Sequence, residues 1–192
     1  MRFSASTMSI LLIPMLALSL ALASCKDDGP TPPTKVDVPA AADPLPAGFM
    51  LSVAPAGARD VAAVKAGAKE GDVVVIRGRI GTAEPFVAGR AAMTIVDPVM
   101  VPCNEMAMED GCPTPWDYCC ADPAELRKSE ATIQFADASG QPVRHDFRLD
   151  DLTPLSYVIV TGKVGPRPDP KVLIVNATGI FVEKKVVAAV AK

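Results

Sequence analysis

The chain is poor in the residues that carry most catalytic and nucleic-acid-binding chemistry. It has one histidine, His145, so a histidine-pair metalloprotease site is unavailable. Aromatic residues make up 5% of the chain, with one tryptophan and two tyrosines. A single-strand nucleic-acid binder needs rings for base stacking along a positive groove. Basic residues are not in excess either: the formal charge is −3. No Cys-x-x-Cys pair occurs among the five cysteines, which removes the usual redox motif and the usual zinc knuckle. No serine sits in a Gly-x-Ser-x-Gly turn. These gaps argue against an enzyme and against a nucleic-acid partner.

Long apolar runs are equally scarce, and the one present is at the amino terminus. Arg2 is the sole charge in the first 24 residues, and an apolar stretch follows from Ile10 to Ala23, interrupted by Pro14 and Ser19. A permanent membrane helix needs about 20 apolar residues. A charged start, a short apolar core and small residues at the end instead describe a secretory signal over residues 1–24. Its end, Leu22-Ala23-Ser24-Cys25, resembles the lipobox of bacterial lipoproteins. The resemblance implies a diacylglycerol on Cys25, usually with a third acyl chain, because one chain alone anchors only marginally. Lys26 at the next position implies the outer membrane by the enterobacterial sorting pattern. The expected location is the periplasmic side of the cell envelope, with the membrane as first partner.

Removing 24 residues from 192 leaves 168, enough for one domain with its own core. Residues 25–48 carry six prolines. Proline lacks an amide donor and fixes its own backbone angle, so the stretch reads as an extended, semi-rigid spacer. The domain is expected over 49–183, with a polar tail at 184–192 continuing as a frayed helix.

Within the domain, the alanine-rich Ala58 to Lys69 places Val61 and Val64 on one helical face. Alternation then marks six strands: Val73 to Ile80, Arg90 to Asp97, Ala131 to Asp137, Val143 to Leu149, Tyr157 to Val164 and Val172 to Val182. The third and fourth, separated by Asp137-Ala-Ser-Gly-Gln141, form an expected hairpin. On the first strand Val74, Ile76, Gly78 and Ile80 share one face, while Arg77 and Arg79 point to the other. With Arg90 they form a small basic patch, read as a solvated sheet face. The fold class is mainly β: a small antiparallel barrel with one short N-terminal helix and a cysteine-rich loop insertion.

The strands Val73–Gly81, Thr94–Asp97, Val158–Val164 and Val175–Ile180 resemble those of an OB-type barrel, and the mid-strand glycines Gly78 and Gly162 suit its sharply coiled strands. The chain also resembles a group of uncharacterised bacterial lipoproteins that share a Gly-Cys-Pro-Thr-Pro-Trp-Asp-Tyr-Cys-Cys block, here Gly111 to Cys120. That resemblance implies no particular activity.

The block lies in a long insert, 98–130, ending in a short helix from Ala124 to Lys128. A loop of this length is usually functional or separately braced. It holds all four cysteines not assigned to the anchor: Cys103, Cys112, Cys119 and Cys120. In an oxidising compartment an even number of cysteines points to two disulfides. A bond between adjacent Cys119 and Cys120 is strained, which favours Cys103 and Cys112 each joining one of that pair. Each bridge would contribute about 2–4 kcal/mol. The leading expectation is therefore a tethered, non-enzymatic binding module without a cofactor. Its disulfide-braced insert meets an envelope protein or glycan through Trp116, Asp117 and Tyr118, since such aromatics concentrate binding energy. The alternative is a metal-handling protein, in which the four cysteines with Met100, Met106 and Met108 hold copper or zinc. Glu105, Glu109, Asp110 and Asp117 lack the spacing of a recognised hard-cation loop. His145, on an apolar strand face, reads as a hydrogen-bonded core or rim residue.

Overall fold

A computed structural model describes residues 42–106 and 112–186 of the chain. The signal segment, Cys25, most of the proline-rich spacer, Met108, Glu109, Asp110 and the end of the tail lie outside the described residues. The elements, in order, are β1 (Arg59–Asp60), α1 (Val61–Gly67), β2 (Val73–Ile80), β3 (Ala92–Val96), α2 (Pro123–Ser129), β4 (Glu130–Gln134), β5 (Tyr157–Val164) and β6 (Ile174–Lys184). Two 3₁₀ turns, Cys103–Glu105 and Phe147–Asp150, complete the set.

Strands β2 to β6 close into a five-stranded barrel in the order β2-β3-β4-β6-β5, with β5 pairing back onto β2. The short β1 adds to β2 in parallel outside the ring. The β-branched runs Val-Val-Val-Ile in β2 and Val-Ile-Val in β5 suit a pleated wall. Their inward side chains Ile76, Ile80, Val158 and Val160 meet Met93, Ile95, Ile133, Val175 and Ile180 in one core. Val61 and Val64 of α1 join that core, as their helical spacing predicts.

The barrel is not antiparallel throughout. β4 and β6 pair in parallel, with Thr132 opposite Ile174 and Gln134 opposite Asn176. Parity requires this. Alternating strand directions close without conflict only in an even-numbered ring, and here the fourth expected strand does not form. The hairpin turn is present, with Asp137 N–H donating to Gln141 O and Ala136 bridging Pro142. Beyond it, however, Pro142 lacks a donor, and the Asp146 carboxylate accepts from Arg148 N–H to start the 3₁₀ turn instead. Phe147 still enters the core, fully buried, while Leu149 turns outward at 70% exposure.

The mid-strand glycines mark close approach. A Cβ on Gly162 would lie 2.5 Å from Asn176 O, beside a register shift in the β5–β6 pairing. A Cβ on Gly78 would meet Ile95 Cδ1 at 2.7 Å. The last strand runs to Lys184, so the start of the expected tail belongs to the sheet. Part of the spacer likewise belongs to the folded unit. Leu45 packs on the core, Arg144 pairs with Asp43 at 3.2 Å, and His145 bonds both Asp43 O (2.9 Å) and Asp150 (2.6 Å). His145 is thus the hydrogen-bonded rim residue its alternation suggests.

Candidate functional site

The insert joins β3 to β4, and its two ends are tied together where Asp97 N–H donates to Ser129 O at 2.7 Å. The buried Asp97 carboxylate also accepts from Ala62 N–H at 2.8 Å and Val99 N–H at 3.1 Å. It thereby satisfies an amide in the first turn of α1, whose own preceding residue Asp60 makes no side-chain cap. At the other end α2 starts on Asp122, whose carboxylate accepts from Ala124 and Glu125 N–H, with Pro123 next in sequence.

Between these ties the insert folds back on itself. Cys103 N–H donates to Asp117 O and Asn104 N–H to Pro115 O, each at 2.9 Å. A turn from Thr114 to Asp117 accommodates Pro115, and a second from Tyr118 to Ala121 places Cys119 and Cys120 at its two central positions. The thiols meet at this crossing. The sulfurs of Cys103 and Cys119 are 3.3 Å apart, those of Cys119 and Cys120 are 3.8 Å apart, and all three lie within 4.8 Å of one another. Cys103 is buried, whereas Cys119 and Cys120 are exposed.

The two expected disulfides are not formed, and all four thiols are free. A disulfide needs sulfurs about 2.05 Å apart, and the nearest pair is well beyond that. Cys112 stands beside the cluster, 3.4 Å from Thr114 O and 3.7 Å from its hydroxyl. Hydrogen bonds from Thr114, backbone first, hold the Cys112 thiol below its ordinary range. Sharing hydrogen bonds with Cys103 and then Cys120 favours the protonated form of Cys119, whose pKa is pushed up to about 12. Met100 and Met106 are half-buried in the same segment.

Of the residues expected to meet a partner, Tyr118 and Trp116 contact the barrel. Tyr118 is fully buried against Gly81, where an added Cβ would stand 2.5 Å from its ring. Burial pushes its phenol well above the usual range, and its hydroxyl has no hydrogen-bond partner among the described residues. Trp116 is half-buried, its indole N–H donating to Ala83 O at 3.2 Å. Asp117 turns in to accept from Tyr118 N–H at 2.7 Å. This part of the block fastens the insert to the barrel.

Of the basic patch, Arg90 is exposed and Arg77 half-buried, but Arg79 is covered. Arg79 retains 4% exposure, donates from Nε to Leu155 O at 3.2 Å and pairs through Nη2 with Glu105 at 2.5 Å. Its guanidinium lies over the Tyr157 ring, 5.1 Å from the centroid. Arg77 is engaged by Asp60 and Glu183. The Arg79–Glu105 pair is a site feature that alternation alone does not reveal, since the two residues meet only when the insert closes over β2.

The barrel and its insert define a folded unit carrying a convergent cysteine cluster on a braced loop. No family model, curated protein or solved structure matches the chain.

Proposed function

We propose that this chain is an exported lipoprotein, anchored in the cell envelope through Cys25, whose OB-type barrel carries a thiolate site for a soft metal ion. One observation carries the metal reading: Cys103, Cys119 and Cys120 bring three sulfurs within 4.8 Å of one another. A zinc–sulfur bond is about 2.3 Å, which sets thiolates on one ion roughly 3.8 Å apart. The 3.3 and 3.8 Å separations lie near that spacing. Soft thiolates select monovalent copper or zinc. Three sulfurs suit trigonal copper(I), with half-buried Met100 and Met106 as further soft donors; a tetrahedral zinc site would recruit Cys112 as fourth ligand. The full burial of Tyr118 weighs against recognition through that side chain. The OB-type assignment is supported by five strands closed with a single parallel seam.

The test is to purify the protein from the envelope fraction without chelator or reductant, then count bound metal and free thiols. One copper or zinc per chain, lost in Cys119→Ser, is the expected result. No metal together with no free thiol would overturn it, and would return the insert to a disulfide-braced surface for an envelope protein or glycan. For the anchor, the mature amino-terminal peptide should begin at Cys25 with acyl mass attached, and Cys25→Ser should release the protein from membranes.

A further inference from the structure

The bulk charge of −3 conceals a local cluster of the opposite sign. Between α1 and α2 lies a cleft of about 470 Å³ that no cysteine lines. Its apolar lining comes from Ala62, Ala66, Ala124 and Pro170. Its polar lining is cationic: Lys65, Arg127, Lys128 and Lys171, with no carboxylate among them. Lys128 is engaged by Glu125 at 2.7 Å. Arg127 and Lys171 form no salt bridge within 4.0 Å among the described residues, although Asp122 lies near Arg127.

Lys65 gives the cleft a fixed wall. It is 7% exposed, and its ammonium donates to Arg127 O at 2.5 Å and Glu130 O at 2.7 Å, tying α1 to the end of α2. An ammonium has three donors, so one remains after these two bonds. On the far side, Arg167 bonds the carbonyl oxygens of Lys65, Ala68, Pro170 and Val172, which holds the Pro170–Lys171 edge against α1. Lys65 and the backbone at Pro170 are therefore held in place, while the side chains of Arg127 and Lys171 are exposed.

We propose that this cleft binds an anionic amphiphile, with a phosphate or carboxylate head between Arg127 and Lys171 and a short apolar body on the alanine floor. Its volume lies within the range of small-molecule sites, about 300–1,000 Å³. The unpaired cations call for negative charge, while the alanines and Pro170 give a bare inorganic anion nothing to cover.

The test is calorimetric titration of the full chain carrying Cys25→Ser with decyl phosphate, inorganic phosphate and neutral decyl maltoside. Decyl phosphate should saturate one site, with each of the others at least about tenfold weaker. Changing Arg127 and Lys171 together to alanine should weaken decyl phosphate by about tenfold or more, with the circular-dichroism spectrum unchanged. Unchanged affinity in that double variant, or no saturation by about 1 mM, would overturn the proposal. Phosphatidylglycerol vesicles identify the source: capture that decyl phosphate reverses points to a membrane lipid, and decyl phosphate binding without capture points to a free amphiphile. Since no cysteine lines the cleft, Cys119→Ser leaves this titration unchanged whatever becomes of the metal site.

Discussion

Tyr118 joins the insert to the barrel, and its buried hydroxyl has no partner among the described residues. An unsatisfied buried hydroxyl costs about 1–3 kcal/mol, so Tyr118→Phe should raise stability by about 1 kcal/mol in urea unfolding. A loss of that size would mean that the hydroxyl has a partner. The opposite sign holds across the contact. Gly81→Ala puts a methyl group 2.5 Å from the Tyr118 ring, and overpacking of this kind costs about 1–3 kcal/mol on the same measurement. Glu105 adds a pH-dependent link, because the hydrogen bond from Arg79 holds its carboxyl below the usual range. A lowered folded-state pKa contributes stability above the unfolded value, lost as pH falls through the folded value. Glu105→Gln should therefore be less stable than the natural protein near neutral pH, and the gap should close on acidification below about 4.5, followed by urea midpoints. The cysteines were legible in the sequence as one group, and three of the four converge. Their state was not, because pairing depends on sulfur separations set by two turns. Tyr118 and Arg79 were misread for a related reason: alternation reports which face a side chain takes, and the insert then covers that face.

The elements were most legible where a pattern needs no distant partner. Val61 and Val64 marked α1, and the valine runs marked β2 and β5, because periodicity and β-branching act locally. The segment from Val143 to Leu149 alternates as a strand should, and His145 and Phe147 are both buried. Its start still bonds its neighbours, Val143 to Phe135 and Ala91, but from Asp146 on the side chain offers the backbone a competing bond and the chain turns. Losing that strand makes the ring odd and forces the parallel seam between β4 and β6. Asp97 shows an element completed from a distance, since it serves α1 across 35 residues of sequence. Removing a helix-capping carboxylate costs about 0.5–2 kcal/mol. Asp97→Ala should fall in that range or above it, because Val99 N–H loses its acceptor as well. Hydrogen exchange should quicken first at Ala62 and Val99, and protection unchanged at both would refute the assignment.

For the whole molecule, the question is whether the insert and the barrel unfold as one unit. The insert meets the barrel through several contacts, among them Tyr118 on Gly81, Trp116 on Ala83 and Glu105 on Arg79. An ion held by Cys103, Cys119 and Cys120 would bind only where Cys103, stitched to Asp117, meets the Cys119–Cys120 turn, an arrangement the unfolded chain lacks. Binding to the folded form alone, at ligand concentrations a hundredfold above Kd, adds about 2.7 kcal/mol. In a domain of this size that raises Tm by roughly 5–10 °C. If insert and barrel are coupled, metal should shift a single thermal transition, seen alike by calorimetry and by far-ultraviolet circular dichroism of the strands, and Cys119→Ser should abolish the shift. Metal raising only a minor early transition, with the barrel melting where it did before, would show an insert that folds by itself and contacts too weak to carry its stability to the sheet.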